Sequence, residues 1–498
     1  DGCYIRNEFD INEVERFAFF SKAVYVLVKT LFEKSKTPLK APNLLIANDW
    51  HSGALAGLTK YFSIAQLEAG LIDDALCGRL KNLPVVHLAH HLGYQGWDYP
   101  NTSKILNSLY ENTATAVFKN AKAIKNSNPR TCDTLIVYDC YNQASCNFHL
   151  ADRVVTVSKN YMEEVSKELD FGFDFRDILK IRKDHRNFFG IVNGYDKKLI
   201  TPNPDRIEAI NRYFAPFNFK FYDENHLEAK LENKEDVIAR IHEAANYVPL
   251  EQLALSPQCG FASTEEGNLV TDEDQWKKLA ETPIFCATSR LVEQKGYDIA
   301  AQAITNLFNR FGALKNIEMP IFLLGGAGDS KYFEHLANLK DRVMEKNPKC
   351  GERIFVFRGY QDDFAYAIQM ASDFYMMPSR FEPCGLTQME AMAKGALPVA
   401  MSTGGLVDTI ENGVDGFRTE VFFSSHKRRV YGNNLTAQRL KNNTNAYAET
   451  LCKALETFYC HFDKIRRMTV NAMRKDFSWD VEGGSIYKYR QLFKTGHL

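Results

Sequence analysis

The sequence predicts an α/β chain with doubly wound parallel sheets, and three observations predict it. Short apolar runs of strand length recur along the chain. Polar or glycine residues follow most of them, and a helix-like stretch comes next. Strands covered on both faces are apolar throughout, and strand–helix alternation makes neighbouring strands parallel.

The runs come in order. Leu44 to Ala47 is the first, then Pro84 to Leu88 and Arg153 to Val157. Pro283 to Ala287, Pro320 to Leu324 and Arg353 to Phe357 follow, and Phe374 to Pro378 and Ala396 to Ala400 complete the set. Between about Asn193 and Glu281 the alternation weakens. "NGYDKKLITPNPD" carries two prolines and an Asn-Gly turn signal, so a domain boundary is expected near Pro202 to Asp205. That gives a first domain over 1–201, a second over 202–470 and a closing segment over 471–498. "LENKEDVIARIHEAAN" reads as a charged helix, and "FFSSHKRRVYGNNLTAQRLKNNTN" as a polar surface insertion. No repeat of fixed period is visible.

Composition narrows the function. The chain has 498 residues, 45% hydrophobic and 25% charged, with a formal net charge of -1. That is enough for two or three cores, and it offers no long basic face for nucleic acid. No apolar run approaches the ~20 residues that span a bilayer, and no secretory leader pattern is visible. The first residue is Asp1 rather than Met, which points to a processed or cut chain. Eleven cysteines are scattered without a CxxC pair, so reduced thiols and a reducing compartment are expected.

Ligands of open parallel sheets bind beyond the carboxyl ends of the strands, so the loops after the runs are the candidates. After Ala287 comes "TSRLVEQKGYD", where Arg290 and Lys295 suit a diphosphate. The alternative is a solvated loop. After Leu324, "GGAGD" reads more readily as a tight turn than as an anion cradle. "SRFEPCGLTQMEAMAKG" follows Pro378. Gly385, Leu386 and Thr387 open a helix whose amides favour phosphate, and Glu382 beside them must point elsewhere, toward hydroxyls or a developing cation. The competing account is that Glu382 caps the helix. "STGGLVDTI" places Thr403, Gly404 and Gly405 at another helix start, as an anion site or a turn. In the first half, His90 and His91 are adjacent and face opposite ways in an extended segment, which argues against a shared metal. "NDWHSG" offers Asp49, Trp50 and His51. Trp50 is a platform for a sugar or a core side chain.

Together these stretches resemble the bacterial glycogen synthases and plant starch synthases, glycosyltransferase family 5. The matching pieces are "ERFAFFSKA", "NDWHSG", "HHLGYQG", "ADRVVTVSKNYMEEV", "GIVNGYD", "TSRLVEQKGYD", "RGYQDD", "MMPSRFEPCGLTQMEAMAKGALPV" and "STGGLVDTI", in the family's order. The resemblance implies the GT-B fold, two Rossmann-like domains facing a cleft. "FSWDVEGGSIYKYRQLF" looks like the last helix, which returns to the first domain. The implied reaction is retaining transfer of glucose from ADP-glucose to the 4-hydroxyl at the non-reducing end of an α-1,4-glucan. It is described as front-face displacement through an oxocarbenium-like transition state, with no metal or other cofactor besides the donor. By position, Arg290 and Lys295 match the pair that holds the diphosphate, and Glu382 the acid near the donor glucose. His90 and Asn193 match first-domain residues that contact the glucose. Cys384, Gly385, Leu386 and Thr387 match the distal-phosphate loop, Thr403, Gly404 and Gly405 its neighbour, and Tyr360 a nucleotide-side aromatic. Asp49, Trp50, His51 and Tyr94 match the acceptor side. A sugar nucleotide and an α-glucan are the implied partners, and the cytoplasm the implied compartment.

The chain departs from the family in two places. No Lys-x-Gly-Gly loop precedes "ERFAFFSKA", so the first sheet is expected to lack its opening strands and to expose an apolar edge. His91 stands where the family often has asparagine. Two other readings follow: an impaired, glucan-binding relative, or another retaining GT-B transferase. A phosphorylase lacks support, since no pyridoxal-phosphate lysine motif is recognisable.

Overall fold

The computed structural model describes residues 13–33, 40–93, 97–98, 109–110, 136–137, 140–172, 175–213, 219–247, 282–311, 319–345, 353–359, 362–420 and 433–496. The chain divides into two compact units, Asp1–Val192 with Lys488–Leu498, and Asn193–Tyr487.

In the first unit, helix α1 (Glu13–Glu33) precedes a parallel sheet of β1 (Leu45–Asn48), β2 (Val85–Ala89), β3 (Arg153–Thr156) and β4 (Phe188–Gly190), in that spatial order. Helix α2 (Gln143–Leu150) packs beside the turn that follows β1. Asn147 on α2 accepts from the Ala56 N–H at 3.0 Å and donates to the Ser52 carbonyl at 3.0 Å. Val86, Val155 and Ile191 form a core cluster with Leu492 of the last helix, Ser485–Thr495, so that helix helps close this sheet. The helix starts later than "FSWDVEGGSIYKYRQLF" suggests. Gly483 takes a φ of 73°, and turns fill 479–484. β1 is an end strand among the described residues. Ile46 on it, and Phe19, Phe20 and Leu27 on α1, are exposed apolar side chains.

The second unit carries β5 (Ile284–Thr288), β6 (Ile321–Gly326), β7 (Ile354–Arg358), β8 (Phe374–Met377), β9 (Leu397–Ala400) and β10 (Phe417–Arg418). All neighbours are parallel, in the order β7-β6-β5-β8-β9-β10. Strand order therefore reverses between β5 and β8, the place where open α/β sheets bind ligands. Every residue of β5, β6, β8 and β9 is buried, which is why these strands read as unbroken apolar runs. Both units are parallel α/β folds, as the alternation predicts.

The segment 193–201 packs on the second unit. The Tyr195 N–H donates to the Phe477 carbonyl at 3.1 Å, Lys197 meets Asp476 at 2.8 Å, and Tyr366 Oη donates to the Thr201 carbonyl at 2.8 Å. These contacts set the division at Val192, ahead of the proline-rich stretch. Among the described residues five short strands went unread: β4, β10 and the three of a small antiparallel sheet in the first unit, Trp97–Asp98, Ile136–Val137 and Cys140–Asn142. "NFFGIV" is an apolar run that could have given β4; β10 is two residues long and offers no period. The polar stretch read as an insertion is in part helix. Residues 422–432 of it lie outside the described residues, but Asn433–Cys460 is one helix that buries Tyr447, Leu451, Leu455 and Phe458.

Helix α3 (Glu228–Tyr247) is tied down by buried cations. Lys230 donates to the carbonyls of Met370 at 2.6 Å and Lys394 at 3.0 Å, and Tyr222 Oη donates to the same two oxygens. Met370 lies in the last turn of α4 (Asp362–Ala371), and Lys394 caps α5 (Thr387–Ala393), so the ammonium sits on two helix C-termini. Burial lowers Lys230 and Lys394 to about 7. Unfolded lysines titrate near ~10.4, so between these values the unfolded chain binds more protons and stability rises with pH. Lys230→Met should flatten that rise by up to about 1.4 kcal/mol per pH unit between roughly pH 7 and 10, read from urea unfolding at a series of pH values.

Candidate active site

The mouths of β5 and β8 supply the second unit's chemistry. After β5 the chain turns through Glu293–Lys295 and leaves by Gly296, whose φ is 65°. A Cβ there would lie 2.0 Å from the Pro378 carbonyl, so only glycine lets the two mouths approach this closely. Lys295 Nζ then donates to Glu382 Oε2 at 2.6 Å. Ser379 Oγ donates to the same oxygen at 3.1 Å. The Lys295 and Glu382 side chains are 12% and 6% exposed. The ion pair is therefore desolvated and held by geometry, unlike a surface pair. The N-cap of α5 is Leu386, with no side-chain cap bond, so Glu382 does not serve as its cap. Arg290, on the same loop as Lys295, is exposed, and no side-chain partner for it occurs among the described residues.

Gly385 takes a φ of 70° and leads into Leu386 and Thr387 at the start of α5. Among the described residues, no acceptor takes the N–H groups of residues 385–387. Gln388 braces this loop, donating to the carbonyls of Cys384 at 3.2 Å and Gly385 at 2.6 Å and to Thr409 Oγ1 at 3.0 Å. Cys384 is buried, its thiol is pushed up to about 12 by burial, and it bonds to the Asn193 backbone. It stays protonated at neutral pH and is no nucleophile. Asn193 therefore packs with the second unit, although the resemblance placed it with the first.

Helix α6 (Gly405–Thr409) opens the third mouth, after β9. The Gly405 N–H is donated to the Glu382 carbonyl at 2.8 Å. A Cβ on Gly404 would lie 1.9 Å from that carbonyl oxygen, and one on Gly405 would lie 2.0 Å from the Cys384 carbonyl. Thr403 is buried behind them. The double glycine thus seats the Glu382 loop, and the Gly405 amide is engaged within the protein. "GGAGD" behaves alike: a Cβ on Gly326 would lie 1.7 Å from the Ser289 carbonyl.

The first unit brings Asp49 and His90 together. Asp49 has a φ of 50°, a strained value for an aspartate. Its carboxylate accepts from the His90 N–H at 2.8 Å, while His90 Nε2 lies 2.9 Å from Asn48 Oδ1. β1 and β2 are neighbours, so these bonds tie two adjacent strand mouths. Trp50 is buried, stacked on His51 at 4.4 Å and met edge-on by Phe17 at 5.0 Å. It packs as a core side chain. Burial lowers the His51 pKa, with Asp49 and Glu13 opposing. Tyr94 and Tyr360 lie outside the described residues.

Two family models match parts of the chain. The starch synthase catalytic domain model matches residues 1–181, and the glycosyl transferases group 1 model matches residues 282–424. The glycogen synthase of Thermodesulfovibrio yellowstonii is 27% identical over 484 residues, covering 97% of this chain and 73% of the relative. Glycogen synthase 1 of Geobacter metallireducens is 27% identical over 99% of this chain and 76% of its own length. The chain is similar to the glycogen synthases along nearly its whole length. In fold it is similar to the catalytic domain of starch synthase IV from Arabidopsis thaliana, a structure bound to ADP and acarbose. The TM-score is 0.63 at 21% identity, over 99% of this chain and 79% of that one. The fold is GT-B, and the chain is a glycosyltransferase relative.

Within this synthase-like site, sequence reasoning missed Ser379 and Gln388. Both stand inside "SRFEPCGLTQ", beside residues it singled out, but small polar side chains give no period or charge signal. Lys295 and Glu382 are each other's compensation. Breaking such a buried pair costs roughly 3–5 kcal/mol, because one charge is left alone. Lys295→Met should therefore destabilise by about 3 kcal/mol, and adding Glu382→Gln should recover most of it, read as a double-mutant cycle in urea.

Proposed function

We propose that the protein is a retaining glucosyltransferase, an ADP-glucose:α-1,4-glucan 4-α-glucosyltransferase that lengthens glycogen or starch. The observation that carries this reading is the Lys295–Glu382 pair at the reversal of strand order, beside the open N–H groups of residues 385–387. A cation and backbone amides suit a diphosphate, and a carboxylate suits sugar hydroxyls and a developing oxocarbenium charge. Lys295 and Arg290 would stabilise the departing diphosphate, which then accepts the proton of the incoming hydroxyl. His90, held by Asp49 and Asn48, is the first unit's candidate for a sugar contact. The donor is the only small molecule this scheme requires. Kinship with glycogen synthases and a fold-mate that binds ADP and acarbose support a sugar nucleotide and an α-glucan as partners, and a cytoplasmic location.

The test is transfer of labelled glucose from ADP-glucose or UDP-glucose to a maltooligosaccharide, with calorimetric titration of ADP and UDP. Turnover and tighter binding on the ADP side support the proposal. A folded chain that binds neither nucleotide and transfers nothing overturns it. Glu382→Gln should lower turnover by about 10²–10³-fold, the cost of removing one preorganised electrostatic group, and change the ADP dissociation constant far less. Equal loss of both would assign Glu382 to structure alone.

A further inference from the structure

Lys295 lies in a short turn on an open loop, yet its ammonium meets Glu382 in one geometry. Something must hold the turn. Both residues before Lys295 give their carbonyls to Arg380: that of Gln294 to the Arg380 N–H at 2.8 Å, and that of Glu293 to Nη1 at 3.1 Å. The guanidinium also grips Asp298, with Nη1 donating to Oδ1 at 2.8 Å and Nη2 to Oδ2 at 2.6 Å. Asp298 sits in the first turn of the helix Tyr297–Phe311, directly after Lys295 and Gly296. Gln294 Nε2 returns a bond to the Phe381 carbonyl at 3.3 Å. The turn bearing Lys295 is thus clamped before and after that residue, by the residue two places ahead of Glu382.

We infer that the Arg380–Asp298 pair is a positioning device that sets Lys295 against Glu382 for transfer; this rests on the glucosyltransferase reading above. The side chains are 5% and 24% exposed. A buried ion pair is seldom worth more to stability than an apolar pair of equal volume, so its retention suits a demand for geometry. A planar, forked cation fixes direction as well as distance, and lysine cannot replace it. Neither residue reaches the substrate in this account. Both act through Lys295, where a misplacement of about 1 Å can cost on the order of 10²-fold in rate.

The test uses Asp298→Asn, which keeps the shape and leaves Arg380 its two carbonyl acceptors. Arg380→Lys serves as a second variant should the first fail to fold. Turnover per folded molecule should drop about 10–100-fold, while donor KM and ADP affinity stay within about threefold. Combined with Lys295→Ala, Asp298→Asn should cost nothing further, because both remove one function. Wild-type turnover per folded molecule, or losses that multiply, would overturn the inference. If the wild type transfers no glucose, the function reading fails on its own. The clamp is then judged by urea midpoints of Asp298→Asn and Glu382→Gln: non-additive shifts support it, and additive shifts refute it.

Discussion

The structure depends on the pairing of β5 with β8. Parallel strands can neighbour each other only through long crossovers, and here the chain leaves β5, builds β6 and β7 on one side, then returns to lay β8 on the other. The loops leaving β5 and β8 therefore come from chain segments almost ninety residues apart, yet they open side by side. Lys295 hangs from one loop and Glu382 from the other, and neither has its partner without the sheet order.

Glycine is the second constraint. Gly296, Gly326, Gly404 and Gly405 each sit where a Cβ would meet a neighbouring carbonyl within about 2 Å. All four stand at strand mouths of the second unit. They serve close approach of protein to protein, and this brings the charged side chains into register. A glycine-rich loop is commonly read as a phosphate cradle, and at Gly405 that reading meets an amide already donated to Glu382.

Much of this was legible in the sequence. Fully buried strands must be apolar along their length, so all eight runs singled out became strands. The candidate loops followed from the rule that ligands gather at carboxyl ends, and Arg290, Lys295, Glu382 and Gly385 all stand there. What escaped has physical reasons. Strand β10 is too short for a pattern. The asparagine-rich start of Asn433–Cys460 masks a helix whose apolar face begins later. Trp50 looked equally like a sugar platform and a core residue, since burial is a property of the fold and not of the tryptophan. The Asp49–His90 bond joins residues forty-one positions apart, and no spacing rule reaches across a sheet.

The ion pair at the switch point also bears on which anions can settle there. Glu382 already neutralises Lys295, so a simple anion arriving at Lys295 gains little unless it displaces the carboxylate. Displacement would strand a desolvated negative charge whose nearest remaining donor is Ser379. A ligand that carries hydroxyls alongside its phosphates can satisfy the cation and the acid together. The resting pair thus weighs against a lone anion at Lys295 and favours a ligand that brings hydroxyls alongside its charge.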